Sequence, residues 1–472
     1  MYLKQLISPL MLTLNTLNEV DNRELQQLYE KMQGRVSLAS LVLAAWQLGL
    51  WFAQKLVEQQ LNARAQEHQV WGNCADCGSR LESKGFVNRR MLTLVGWVEW
   101  RRRVGRCPNR CPGSHHPPFD AVLGITAYQQ TSMELMRLGC LLAVFLPFEI
   151  AVHLLMQLCG IRISDDTVWQ WVQQFGQQAS VQLDSELKQL AQGIEPAVEP
   201  LDPQWVNLPL AIAADGVSVP FRPHPRTAKG KIRFREIKLA VLARLQSVQT
   251  RNGRQTTRLQ QRRFVAVLGN LDALQSRLQL EALRQGIATA PQVVWIRDGA
   301  RGFWRLFEQF WAGSAVGILD FYHAAQQLWD AAEAYGNTLS TRTPQQWFEQ
   351  LRHQLRHGYV YRIIREFGRL LKYASTPTSA KPTLKRVRHY LSTHLAHLQY
   401  RTFKKLGFPI GSGMVESACK WLIQQRFKGT GMRWSEPGFN HLLHLRLAWV
   451  NQRFDLLFAE HPLTLDLHSP NR

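Results

Sequence analysis

Acidic residues are scarce in this sequence, which holds 35 Asp and Glu against 57 Lys and Arg and has a formal net charge of +22. This imbalance predicts a polyanionic partner. A membrane surface is the less favoured polyanion, because the basic residues are spread over every segment and form no block beside an apolar run. Disorder is excluded, since 45% of the residues are hydrophobic and 16 are Trp.

No signal-peptide layout of a basic segment, an apolar stretch and a small-residue cleavage site precedes the first apolar run, so none is expected. The apolar run from Val36 to Val57 is marginal in length for a membrane span and contains Gln47 and Gln54. We therefore expect a buried or partner-facing helix and no membrane association. Residues 1–66 are predicted to be a helical region whose apolar faces either pack within the chain or dimerise.

Cysteine usage favours a metal site in a reducing compartment over a disulfide scaffold, because four of the seven cysteines form two close pairs. The pairs flank two strand-like stretches, Met91–Val95 and Trp97–Val104, which predicts a zinc ribbon over residues 67–125. Its ligands would be Cys74, Cys77, Cys107 and Cys111, with His115 and His116 as spare ligands; free buried cysteines are the alternative. Arginines on this hairpin predict phosphate contacts: Arg89, Arg90, Arg101, Arg102, Arg103 and Arg106.

Residues 126–194 are predicted to hold a helix-turn-helix. A helix from Phe148 to Cys159 is stopped by Gly160, and Ser164 caps a second helix that runs from Asp165 to Val172. The second helix would present Trp169, Gln170 and Gln173 to a major groove. Many helix pairs of this kind never contact DNA, so a purely structural pair is the alternative. A Pro-rich linker, residues 195–209, follows.

Beyond the linker the pattern predicts an α/β core of the RNase H-like type. Three strands, a helix, a strand, a helix and a strand are expected in that order. They are predicted at Leu210–Val219, Ile237–Leu245, Phe264–Leu268, Asp272–Gln285, Val293–Gly299, Phe303–Phe310 and Ala315–Leu319.

Carboxylates recur where two-metal phosphoryl chemistry needs them. Asp215 and Asp298 lie in or at the end of predicted strands, and Glu416 lies on a later helix that Ser412 can cap. Hard Mg²⁺ ions take oxygen ligands, and two such ions activate an attacking oxygen and stabilise a leaving one. The buried stripe of that helix is predicted to be Val415, Cys419, Leu422 and Ile423.

Several motifs carry a family resemblance. They are Ala-Asp215-Gly216, Arg-Asp298-Gly299-Ala300, Leu-Asp320-Phe-Tyr-His323-Ala and Gly411-Ser-Gly-Met-Val-Glu416-Ser, followed by Arg426-Phe-Lys428-Gly-Thr-Gly-Met-Arg433-Trp434-Ser. The chain resembles the DDE transposases of bacterial insertion sequences, within the Mutator-like group and nearest the Kra type. The resemblance implies that Asp215, Asp298 and Glu416 bind the metal ions, with Asp320 and His323 as an accompanying motif. Asp320 is the alternative to Asp298 as second ligand.

The resemblance also implies a multidomain α+β chain. N-terminal helices, the zinc ribbon and the helix-turn-helix would precede a core split into residues 210–330 and 409–472 by an all-α insertion, residues 331–408. The insertion is basic and would carry transposon-end DNA. Two further basic stretches are Arg222–Arg235, in the first hairpin of the core, and Arg251–Arg263, in a loop beyond it. Arg426, Lys428 and Arg433 would contact DNA, and Trp434 would either stack on an unpaired base or anchor the core.

The expected function is therefore a DNA transposase that hydrolyses a phosphodiester at the 3′ end of an element and transfers the strand. Its expected cofactors are two Mg²⁺ ions (or Mn²⁺) and structural Zn²⁺. Double-stranded DNA and a second copy of the chain are the expected partners, in the bacterial cytoplasm at the nucleoid. The alternatives are an RNase H-like nuclease without strand transfer and a non-catalytic DNA-binding protein that keeps the fold.

Overall fold

The computed structural model describes residues 37–67, 71–111, 117–223, 231–253, 255–336 and 343–458. Residues 1–36, His115, His116 and part of Arg222–Arg235 lie outside this range, as do the expectations about them. The described chain forms two compact units: one includes the residues up to Trp171, and the other is Val172–Leu457. The division falls inside a long helix, and the predicted domain bounds stay predictions.

The first unit contains one helix before a two-stranded sheet and a group of helices after it. Its elements are α1 (Leu38–Gln66), β1 (Glu82–Thr93), β2 (Gly96–Arg106), α2 (Pro118–Val122), α3 (Met133–Phe145), α4 (Phe148–Cys159) and the start of α5 (Asp165–Ala191). The β1–β2 hairpin is longer than predicted, and its turn lies at residues 94–95, just before Gly96, which has φ 104°.

Helix α1 covers the free edge of β2 with polar side chains spaced four residues apart. Gln54 donates to the Trp97 carbonyl (2.5 Å), Glu58 accepts from the Glu99 amide (3.2 Å), and Asn62 accepts from the Arg101 amide (2.9 Å). These bonds satisfy backbone groups that an edge strand would otherwise leave unpaired.

The expectation of a buried α1 is wrong for most of its length. Ala44 and Ala65 are its buried residues, whereas Leu38 and Trp46 are 78% and 56% exposed. By length and composition alone α1 could cross a membrane. The absence of a membrane therefore stays a prediction, as does the idea that α1 faces a partner.

The predicted helix-turn-helix elements are present in the first unit. Helix α4 has the predicted bounds and ends at Gly160, whose φ of 70° is the left-handed conformation of a helix C-cap. Ser164 accepts a hydrogen bond from the Thr167 amide (3.2 Å) and so caps α5. Helix α5 does not stop at Val172, because its apolar spacing continues far beyond it, to Ala191.

The second unit is built on a five-stranded mixed sheet in the order β5-β4-β3-β6-β7. Its strands and helices follow in the predicted order: β3 (Leu210–Phe221), β4 (Arg233–Gln249), β5 (Gln255–Val267), α6 (Leu271–Arg284), β6 (Val293–Arg297), α7 (Arg301–Phe310) and β7 (Ala315–Leu319). Strand β4 runs antiparallel to β3 and β5, while β3, β6 and β7 are parallel. Much of the basic stretch Arg251–Arg263 belongs to β5, which corrects the predicted loop.

Three aspartates lie at the same edge of this sheet. Strand β3 pairs with β6 only as far as Ala213, so Asp215 lies just beyond the end of that pairing. Asp298 directly follows β6, and Asp320 directly follows β7. The carboxyl ends of parallel strands form one edge of an open sheet, where ligand sites of α/β proteins occur.

Helices complete the second unit. They are α8 (Phe321–Gly336), α9 (Pro344–Arg356), α10 (Val360–Leu370), α11 (Lys381–Thr393), α12 (Tyr400–Lys405), α13 (Gly413–Ala418), a π-helical turn (Cys419–Gln424), α14 (Gln425–Phe427) and α15 (Glu436–Val450). The predicted stripe of Val415, Cys419, Leu422 and Ile423 is buried. Buried Arg446 donates to the carbonyls of Trp421 and Leu422 (both 2.6 Å) and so stabilises the π turn.

Protonation of His394, at the end of α11, is expected to destabilise the second unit. Burial, with a smaller contribution from the charge of His397, lowers the pKa of His394 to about 4. Because the folded pKa lies below the ordinary value of about 6.5, its contribution to stability is complete above pH 6.5 and decreases as the pH falls toward 4. Between pH 7.5 and 5 we expect a loss of about 1 kcal/mol, which allows for solvent screening of a ring that is only partly buried.

Denaturant unfolding of the parent and of His394→Gln at both pH values tests this expectation. The glutamine variant lacks the titrating group, so its unfolding free energy should depend less on pH by that amount. Equal pH dependence in the two proteins would show that His394 titrates normally in the folded chain.

Candidate metal and nucleic-acid site

Asp215 and Asp298 are brought together by one buried arginine. Arg297 donates from Nη1 to Asp215 Oδ1 (3.0 Å), and its Nε lies 2.7 Å from Asp298 Oδ1. The guanidinium also lies 3.8 Å from the Phe303 ring centroid, and its side chain is 5% exposed. Arg297 therefore offsets the repulsion between two carboxylates that are far apart in the sequence.

The same Oδ1 atoms also accept backbone amides. Asp215 accepts from Gly216 (2.7 Å) and Asp298 from Ala300 (3.0 Å). The two side chains are 31% and 30% exposed, so each combines an oxygen held by the protein with access to solvent. Burial raises the pKa of Asp215 despite the opposing effect of Arg297.

Asp320 and Glu416 form a second carboxylate pair, joined by Ser412. The Ser412 hydroxyl lies 2.7 Å from Asp320 Oδ2 and 2.8 Å from Glu416 Oε1. One hydroxyl carries one proton, so it cannot donate fully to both carboxylates. The Ser412 side chain therefore contacts Asp320 and Glu416. It makes no capping hydrogen bond to its own helix, which the sequence had predicted.

Asp320 is fully buried and receives donors on both oxygens. Oδ1 accepts the His323 amide (2.8 Å) and lies 3.3 Å from the His323 ring, while Oδ2 accepts the Ser412 amide and hydroxyl. Burial alone would raise the pKa of Asp320, but the bonds from His323 and Ser412 outweigh it and lower the pKa to about 2. Asp320 is therefore an ionised anchor for its neighbours.

His323 contacts the second carboxylate pair through Asp320. Its hydrogen bond to Asp320 raises its pKa, and the charges of Asp298 and Glu416 add to the effect. Ligand atoms of Asp320, His323 and Glu416 lie within 4.8 Å of one another, so this trio can hold a metal ion. The sequence had marked all these residues as site candidates but not Arg297, which directly precedes Asp298, and it had given Ser412 only the role of a helix cap.

A second cluster contains the four predicted cysteines. The sulfur atoms of Cys74, Cys77, Cys107 and Cys111 lie within 4.8 Å of one another, an arrangement that can hold a metal ion and fits a zinc ribbon. In the first pair the Gly78 amide donates to the Cys74 carbonyl (2.9 Å), and in the second the Arg110 amide donates to the Cys107 carbonyl (3.1 Å). These two turns point all four thiols toward one centre.

The hairpin arginines separate into two groups. Arg89 and Arg102 lie 3.8 and 2.6 Å from the buried Asp120 carboxylate, so they belong to the interior of the first unit and not to a phosphate-binding surface. Others lie beside exposed rings, with Arg90 4.2 Å from the Trp97 centroid and Arg103 5.0 Å from that of Phe86.

Among the residues predicted to face a major groove, Trp169 is 43% exposed and Gln170 is exposed. Gln173 instead lies with its Oε1 2.7 Å from His441 Nδ1 inside the second unit. A packing role therefore accounts for Gln173, while Trp169 and Gln170 remain accessible.

The residues after Glu416 also divide by exposure. Lys428 and Arg433 are exposed, but Arg426 is only 2% exposed, and burial lowers its pKa to about 9. Arg426 therefore cannot reach a DNA backbone as predicted. Trp434 donates to the Phe427 carbonyl (2.9 Å) and packs on that ring at 5.2 Å, which favours the core-anchor alternative.

No family model and no curated protein matches this sequence. Among solved structures, the chain is similar to the Drosophila P element transposase in a strand transfer complex. That similarity has a TM-score of 0.24 and 12% identity, and it covers 69% of this chain and 80% of the other. Likeness at this level carries no argument, so the function rests on the chain's own residues.

Proposed function

We propose that this protein is a DDE-type DNA transposase of an insertion sequence, acting at the carboxylate cluster of the second unit. The observation that carries the proposal is the presence of two carboxylate pairs, Asp215 with Asp298 through Arg297 and Asp320 with Glu416 through Ser412, whose three aspartates lie at one sheet edge. Paired carboxylates that keep oxygens accessible to solvent supply the hard oxygen donors that a divalent cation prefers. The core is proposed to be RNase H-like.

Asp215, Asp298 and Glu416 are the proposed metal ligands. An all-oxygen donor set suits Mg²⁺ or Mn²⁺, and such ions supply an activated water and stabilise the leaving oxygen. Asp298 is favoured over Asp320 as the second ligand, because both Asp320 oxygens already accept protein donors while the Asp298 side chain is 30% exposed. Asp320 would orient His323 and, through Ser412, Glu416.

DNA is the proposed partner of the basic surfaces, in keeping with the net charge of +22. Trp169, Gln170, Lys428 and Arg433 are proposed contacts. The test uses the purified full chain, Mg²⁺ and DNA that carries the two sequences bordering the gene. Nicks at 3′ ends followed by joined products are expected. Nicks without joined products would favour the nuclease alternative, and neither product would favour the non-catalytic one.

The cysteine cluster is proposed to hold structural Zn²⁺. Cys107→Ser is expected to remove about one equivalent of zinc per chain and to unfold the turns around the hairpin, because structural zinc contributes directly to folding. Elemental analysis and hydrogen exchange of the β1 and β2 amides measure both effects. Cys159→Ser, which changes a cysteine outside the cluster, should keep the zinc; equal zinc content in all three proteins would refute the site.

A further inference from the structure

The end of the all-α insertion contacts the segments that carry two of the site aspartates. The Tyr390 ring of α11 lies so close to Gly299 that a Cβ added there would be 2.7 Å from the Tyr390 hydroxyl oxygen and closer still to the ring. Gly299 directly follows Asp298. Glycine is therefore needed at this position to seat the ring.

A second contact holds the same loop from its other side. Trp304 Nε1 donates to the Asp298 carbonyl (2.7 Å), and the Trp304 ring stacks on His397, with centroids 4.3 Å apart. The His394 ring lies 5.3 Å from Trp304 and 5.1 Å from Tyr390. Rings from the insertion therefore pack against the Asp298 loop directly and through Trp304.

The segment before Asp320 is held in a similar way. His397 Nδ1 lies 3.1 Å from the Gly317 carbonyl, and a Cβ at Gly317 would approach this ring atom to 2.6 Å. The buried Tyr400 hydroxyl donates to the carbonyl of Leu319 (2.9 Å), the residue before Asp320. Two glycines of the core thus accommodate rings from the last part of the insertion, Tyr390 on α11 at Gly299 and His397 just after α11 at Gly317.

We propose that Tyr390 is a positioning residue that holds the Asp298 loop in its metal-binding arrangement through ring contact with Gly299. The insertion is then part of the carboxylate site as well as a surface for DNA. This inference rests on the proposed metal-binding role of Asp298, while the packing of the loop does not depend on it. Because the contact is made by the aromatic ring, Tyr390→Phe should keep the positioning role.

The test compares Tyr390→Ala and Tyr390→Phe with a control, Tyr361→Ala, whose side chain is 62% exposed on α10 of the same insertion. Mn²⁺ affinity of the full chain is measured by electron paramagnetic resonance. We expect Tyr390→Ala to weaken Mn²⁺ binding about 10-fold, the lower range for loss of an outer-shell partner. Tyr390→Phe and Tyr361→Ala should stay within about twofold of the parent.

Hydrogen exchange of the amides from Gly299 to Trp304 is the second measurement, because it needs no metal ion. Faster exchange in Tyr390→Ala, and not in the other two variants, supports the inference even if the parent binds no Mn²⁺. Failure of the parent to bind Mn²⁺ would refute the proposed metal site and not the role of Tyr390. The inference would be overturned if Tyr390→Ala kept both the parental exchange rates of these amides and the parental affinity for Mn²⁺. Equal losses in Tyr390→Phe and Tyr390→Ala would also overturn it, because the hydroxyl would then be the acting group.

Discussion

Glu416→Gln is expected to lower Mg²⁺-dependent nicking of element ends by more than about 100-fold, because the loss of a direct ligand should exceed the roughly 10–100-fold effect of losing an outer-shell partner. The amide keeps the size of the side chain and can still hydrogen-bond to Ser412, which lies 2.8 Å from Glu416 Oε1. What it loses is the negative charge that a hard divalent ion prefers. Folding should therefore survive while activity is lost.

The rate of nicking at saturating DNA, measured over a range of Mg²⁺ concentrations, checks this expectation. Glu349→Gln is the matched control, because Glu349 is 52% exposed and forms a surface pair with Arg352. The control should keep the parental rate. Parental nicking by Glu416→Gln would remove Glu416 from the site and leave the proposed transposase without its third ligand.

Asp120→Ala is expected to cost the first unit about 3–5 kcal/mol, the range for breaking a buried ion pair from one side. The Asp120 side chain is 6% exposed and lies between Arg89 and Arg102, whose side chains are 14% and 11% exposed. Alanine would leave two buried guanidinium groups without their carboxylate. The free energy of opening, from hydrogen exchange of the β2 amides, measures the loss.

The matched control is Glu99→Ala in the same hairpin. Glu99 pairs with Arg90 at 3.1 Å, but the two side chains are 61% and 57% exposed, so its loss should cost less than about 1 kcal/mol. Similar costs for the two variants would contradict the division of the hairpin arginines into buried and surface groups.

Local patterns predicted the strands and helices of the second unit well, because apolar runs and helical spacing depend on neighbouring residues. Ala315–Leu319 in the second unit and Phe148–Cys159 in the first have the predicted bounds. Helix α5 was predicted too short. It was predicted to end at Val172, whereas the helix continues to Ala191. Helix α1 was predicted to be buried or to face a partner, and it is largely exposed, because an apolar composition alone does not supply packing within the chain.

For the site residues as well, the sequence predicted residue types and positions, while packing decided which of them are accessible. Residue type and position marked Arg426 as a phosphate contact, but packing buries it. The sequence left Asp298 and Asp320 as alternatives for one role. Their difference lies in hydrogen-bond partners, and those come from His323 and from Ser412, a residue on a distant segment.

By itself the sequence determined that carboxylates stand at strand ends of an α/β unit and that four cysteines flank a hairpin, because both follow from local order. Only the tertiary structure decided that Arg297 joins two of those carboxylates, that Ser412 joins two others, and that rings at the end of the insertion seat on core glycines. The reason is physical: charge pairing and ring packing act between side chains that only folding brings together.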